Sequence, residues 1–200
     1  MAHVNVPKMP TWTPLHQAVQ ARGLSRLQTL LQAGHDLLDL GDYNNDTPLH
    51  LAAAAEFARA RIFLSQERVT ESIVRLLLEN GAKPDLVNDR GQIPLHLAVA
   101  AGNLSMVRLL LEPRVEGVWP PVKKEPEMLV DWTDNYGRTP LHLASAQEYG
   151  ELMIKMLLEN GAKGSIAMLD GDQRTPLHLA SAGDQNTSQE WSEGNDVSLG

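Results

Sequence analysis

Thr47-Pro48-Leu49-His50-Leu51-Ala52-Ala53 is the stretch from which the chain is read. The same pattern appears as Thr13-Pro14-Leu15-His16-Gln17-Ala18-Val19 and, with Ile leading, as Ile93-Pro94-Leu95-His96-Leu97-Ala98-Val99. It returns as Thr139-Pro140-Leu141-His142-Leu143-Ala144-Ser145 and as Thr175-Pro176-Leu177-His178-Leu179-Ala180-Ser181. Five copies in 200 residues make repetition the first property any fold must satisfy. Successive copies begin 34, 46, 46 and 36 residues apart (13 to 47, 47 to 93, 93 to 139, 139 to 175). In each copy the Thr suits a helix N-cap, and the Pro suits the first helical position, where an amide hydrogen is not needed. The Leu and the small residues supply one apolar face, and the His falls in the first turn, placed to bond the Thr hydroxyl or nearby backbone.

A second helix follows in four copies, over Leu24 to Leu31, Glu71 to Leu78, Leu104 to Leu111 and Leu152 to Leu158, because apolar residues recur three and four apart. Gly34, Gly81 and Gly161 stand where a left-handed C-cap would end three of these helices. A polar turn then leads to the next Thr, as in Asp134-Asn135-Tyr136-Gly137. In repeat three, Ile93 deprives its helix of a hydroxyl cap, and Pro113 breaks the second helix.

With its T-P-L-H-x-A signature, second helix and closing Gly81-Ala82 and Gly161-Ala162, the chain resembles the ankyrin-repeat family. The resemblance implies an all-α solenoid of stacked helix-turn-helix units with one continuous core. It divides the chain into a lead-in (1–10), a repeat domain (11–182, four full repeats and a partial fifth) and an acidic tail (183–200) expected to be disordered. Two insertions of about 13 residues are expected, near 55–68 and 114–130. The first contains helix formers without Gly or Pro, so the first helix of repeat two is expected to lengthen to about Leu64, with Thr70 capping the second. The other carries Trp119-Pro120-Pro121 in a Pro-rich run that favours extended geometry. Trp12 is read as a lid over the first layer of core. The partial fifth repeat reads as the edge of a longer array, or as one covered by Trp191 of the tail.

Composition narrows the function. A formal charge of -8, without a clustered basic footprint, disfavours nucleic acid as a partner. No apolar window of about 20 residues offers a membrane span. The absence of Cys removes disulfides, thiol nucleophiles and thiolate metal sites, and is compatible with the cytoplasm or nucleus. Five of the seven His occupy one slot of the repeat, a spacing that does not converge on a metal or a catalytic base. Neither Ser145 nor Ser181 sits in a nucleophile elbow, and no phosphate-binding Gly loop occurs. No catalytic residue, cofactor or metal is therefore assigned.

What the resemblance implies instead is a protein partner, bound by a monomer across the loop tips and the exposed side of the first helices. The tip candidates are Tyr43, Asn44, Asn45 and Asp46; Asp89, Arg90 and Gln92; Asn135, Tyr136 and Arg138; and Asp172, Gln173 and Arg174, with Trp119 as a candidate on the insertion. The tips of repeats three to five each contain an Arg, whereas repeat two carries acid. The alternative reading is a structural or regulatory piece that positions a catalytic domain outside this chain.

Overall fold

The computed structural model describes residues 12–34, 37–54, 64–112, 129–147 and 150–181, with the side chains of 64–67 left aside. The helices are α1 (Pro14–Gln20), α2 (Leu24–Ala33), α3 (Pro48–Ala53), α4 (Leu64–Glu79), α5 (Pro94–Ala100) and α6 (Leu104–Leu111). They continue with α7 (Pro140–Ser145), α8 (Glu151–Glu159), a 3-10 helix (Gly164–Ala167) and α9 (176–181). First helices lie beside first helices, α1 on α3 on α5 on α7, and second helices beside second helices, α2 on α4 on α6 on α8. α1, α3, α5 and α7 each also pack on their own second helix, so these four units are hairpins that complete their core with their neighbours.

One apolar cluster runs through the stack. The motif leucines Leu15, Leu49, Leu95 and Leu141 are at most 2% exposed, and second-helix residues Leu27, Ile73, Leu77, Met106 and Leu157 are sealed with them. Alanines at the next inward positions, Ala18, Ala52, Ala98 and Ala144, are also buried, which lets the short helices approach closely. Full burial of one such leucine stabilises the fold by roughly 1.5–3 kcal/mol.

Two local expectations are corrected. In repeat two the first helix does not lengthen to Leu64: α3 ends at Ala53, and the Ala54 N–H bonds back to His50 and Ala52 carbonyls. The added helical length belongs to the second helix, α4, where Thr70 sits in the interior and is buried rather than capping. The physical reason is periodicity: Val69, Thr70, Ile73, Val74 and Leu77 carry the apolar stripe of α4 backwards past the predicted start. Residues 55–63, including Phe57 and Phe63, lie outside the described set.

Gly34 also departs from its expected role, with φ 157° and ψ 151°, which is not a left-handed cap. Gly81 (φ 96°) and Gly161 (φ 104°) do take positive φ. There the Ala82 N–H reaches the Leu77 carbonyl at 3.0 Å and the Ala162 N–H reaches Leu157 at 3.0 Å, closing the helices as a Schellman turn does. α6 stops at Leu111, as expected before Pro113, with Glu112 in extended geometry. Trp12 is half-buried, while Trp119, Trp191 and the tail lie outside the described residues.

Candidate functional site

The polar turns between repeats fold by one rule, set by their first residue. In residues 42–46, 88–92, 134–138 and 170–174, an Asp or Asn at position one accepts two backbone N–H groups through Oδ1, from positions three and five. Asp42 takes them from Asn44 (2.8 Å) and Asp46 (3.0 Å), and Asn88 from Arg90 and Gln92 (both 3.0 Å). Asp134 takes them from Tyr136 and Arg138, and Asp170 from Asp172 and Arg174, all at 2.9 Å. Position four has positive φ in all four: Asn45 (64°), Gly91 (72°), Gly137 (72°) and Gln173 (62°).

The turns are joined to one another by main chain. Asp89 N–H donates to the Asn44 carbonyl (2.9 Å), Asn135 N–H to Arg90 (2.9 Å), and Gly171 N–H to Tyr136 (2.7 Å). Side chains add Asn88 Nδ2 to Asp46 Oδ1 (2.9 Å) and Asn135 Nδ2 to the Asp89 carbonyl (2.9 Å). Four tips thus form one hydrogen-bonded row.

The motif His ties that row to the helices. Thr Oγ1 lies 2.8–2.9 Å from His Nδ1 in the pairs Thr13–His16, Thr47–His50 and Thr139–His142. Nδ1 also receives the Thr backbone N–H at 3.2–3.3 Å, so it is an acceptor and the proton sits on Nε2. That Nε2–H donates to a carbonyl of the following turn: His16 to Asp46 (2.7 Å), His50 to Gln92 (2.9 Å), His96 to Arg138 (3.2 Å), His142 to Arg174 (3.1 Å). The local bond is the one the sequence suggested, but the bond to the next repeat is not visible from one copy alone. At Ile93 the hydroxyl is missing and only its N–H reaches His96 Nδ1, at 3.4 Å.

Burial in this setting disfavours the imidazolium form. Burial pulls His50 and His96 down to about 4, against the opposing pull of the Gln92 and Arg138 carbonyls. His16 is lowered for the same reason. Buried, doubly bonded imidazoles of this kind hold structure and leave no nitrogen for a ligand. Among the described residues no group of three or more His, Asp or Glu could hold a metal ion.

The structure places the tip candidates unequally. Tyr43 and Tyr136 stand 63% and 62% exposed, and Asn44, Asp89, Arg90, Asn135, Asp172, Gln173 and Arg174 are exposed beside them. Asn45 and Asp46 are half-buried in the row. Gln92 is buried, with its amide beside Asn88 and its carbonyl held by His50, so it supports the row from inside. Arg138 is bidentate on Asp134 and stacks over Tyr136, its guanidinium carbon 4.9 Å from the ring centre. Arg174 bonds Asp170 and also reaches Asp172 at 2.7 Å. Burial alone would raise the Asp170 carboxyl, but bonds from the Arg174 amide and side chain and the Asp172 amide hold it below the usual range. Asn103, in the glycosylation-like Asn103-Leu104-Ser105, is buried as the N-cap of α6, where it accepts the Met106 N–H at 3.1 Å.

Stacked helical hairpins with a linked row of turn tips define a solenoid of repeat units. The family model for ankyrin repeats (3 copies) matches residues 62–166 and 127–190, and the chain belongs to the ankyrin-repeat family. No curated protein matches the chain. Proteins of this family are generally protein–protein interaction modules and typically non-catalytic scaffolds. Among the described residues, no helix is long and apolar enough to cross a membrane.

Proposed function

We propose that the chain is a non-catalytic scaffold that binds another protein across its loop tips and the exposed side of its first helices, as a monomer in the cytoplasm or nucleus. The observation that carries this reading is the tip row itself, in which main-chain bonds join turns 42–46, 88–92, 134–138 and 170–174. A surface held in place before binding loses little conformational freedom on binding, which removes a large opposing term. Tyr43 and Tyr136 supply broad contact area with few rotatable bonds. Helices α1, α3, α5 and α7 contain no charged residue, and Leu51, Leu97 and Leu143 remain half-exposed along them, giving an apolar floor beside a polar rim.

Affinity capture from a native lysate, read by mass spectrometry, tests this. The double variant Tyr43→Ala/Tyr136→Ala should lose the protein partner while keeping its helical circular dichroism and melting temperature. Retention of the same partner by the double variant rejects the tip surface. A second reading, in which the array abuts a further folded unit at its last repeat, is favoured by Leu177, 75% exposed where its four counterparts are buried.

A further inference from the structure

The turn of repeat two differs from its sisters in charge. In repeats four and five the second oxygen of the position-one carboxylate is taken by the Arg at position five. Arg138 Nε and Nη2 lie 2.9 and 2.7 Å from Asp134 Oδ2, and Arg174 Nε and Nη2 lie 3.1 and 3.0 Å from Asp170 Oδ2. Repeat three has neutral Asn88 at position one and Gln92 at position five, so no cation is needed there. Repeat two has Asp42 at position one and a second acid, Asp46, at position five.

Asp42 is only 4% exposed, yet its Oδ1 carries both turn N–H bonds and its Oδ2 has no partner among the described residues. Oδ2 is not one of the enclosed atoms that lack a partner, so it keeps some contact with solvent. The Asp46 carboxylate accepts one bond among the described residues, from Asn88 Nδ2. Burial, and secondarily the Asp42 charge, raise its carboxyl above the ordinary range, while Arg90 on the adjacent tip opposes this only through space. The six tip carboxylates (Asp42, Asp46, Asp89, Asp134, Asp170, Asp172) face three arginines, of which Arg138 and Arg174 are already paired in their own turns.

We infer that the Asp42–Asp46 turn is a receptor for an arginine side chain of the bound protein, whose guanidinium takes the place on Asp42 that Arg138 and Arg174 occupy on Asp134 and Asp170. This rests on the tip row being the partner surface. Guanidinium is favoured over ammonium because its planar fork places two N–H groups on one carboxylate, the arrangement seen twice in this chain.

The test titrates the full chain with acetyl-Gly-Arg-Gly-amide at low salt and follows the backbone amide resonances of Asn44 and Asp46, whose N–H groups report on Asp42. Saturable shifts confined to residues 42–46 are expected, several-fold weaker with the Lys analogue. Asp46→Arg supplies the missing internal cation and should weaken the peptide at least tenfold while leaving the melting temperature unchanged or raised. Asp42→Asn should do the same without unfolding the turn, because Asn88 holds the identical turn in repeat three. Equal shifts at 134–138 and 170–174, unaltered binding in Asp46→Arg, or no shift at 42–46 overturns the inference. If Asp46→Arg still captures the partner that the double Tyr variant loses, the arginine site falls and the tip surface stands.

Discussion

Acidification should loosen this solenoid through its buried histidines. In the unfolded chain His50 and His96 take up protons at about 6.5, whereas in the folded chain they resist until about 4. Between those values the unfolded state binds more protons, so stability is present in full above 6.5 and is lost as pH falls. From pH 7 to 5 the loss is about 2 kcal/mol per histidine, or about 4 kcal/mol for the pair. His16, lowered in the same direction, adds to it. Asp46 acts in the opposite sense, since its raised carboxyl favours the folded state as it becomes protonated. Urea unfolding followed at 222 nm at pH 7, 6 and 5 measures the effect, and His ring proton shifts locate it. A loss below about 1 kcal/mol by pH 5, or His50 and His96 titrating near 6.5 in the folded protein, would refute the reasoning.

The motif leucine allows an internal comparison. Leu95→Ala should cost about 2–5 kcal/mol in urea unfolding, since Leu95 is 1% exposed, whereas Leu177→Ala should cost under about 0.5 kcal/mol at 75% exposure. Gln173→Gly should raise stability by about 1 kcal/mol, because Gln173 is exposed and adopts φ 62°, where a Cβ is unfavourable. Gly91→Ala should cost about 2 kcal/mol or more and broaden the tip amide resonances, since Gly91 has φ 72° and an added Cβ would lie 2.9 Å from the Asn135 nitrogen.

The repeating motif made the helix pairs, their apolar faces and the Thr–His cap readable, because all of these depend on residues within four positions of each other. The boundaries in repeat two were not readable in the same way. Helix formers from Ala55 to Arg68 suit either helix in the sequence, and Leu64 to Arg68 join α4, whose Val69 and Ile73 pack against the core. Gln92 shows the same limit at the site: a polar residue in a turn reads as exposed, but its burial is set by Asn88 and by His50 from the repeat before. A signal for the turns was present, namely Asp or Asn at 42, 88, 134 and 170, each five residues before a motif's first position. The bonds from one tip to the next join residues 35 to 46 apart in sequence, and only stacking brings them together.

The histidine link runs one way along the stack. Each imidazole gives its proton to the turn that follows, so each repeat's helix cap is completed by its C-terminal neighbour and never by its N-terminal one. Peeling units from the two ends is therefore not equivalent. Loss of the first repeat bares a carbonyl at Asp46 that water can serve, while loss of a later repeat strands an imidazole N–H set in a largely apolar wall. Fraying should accordingly be steeper when it advances from the last repeat inward, giving the solenoid a thermodynamic polarity although its units look alike.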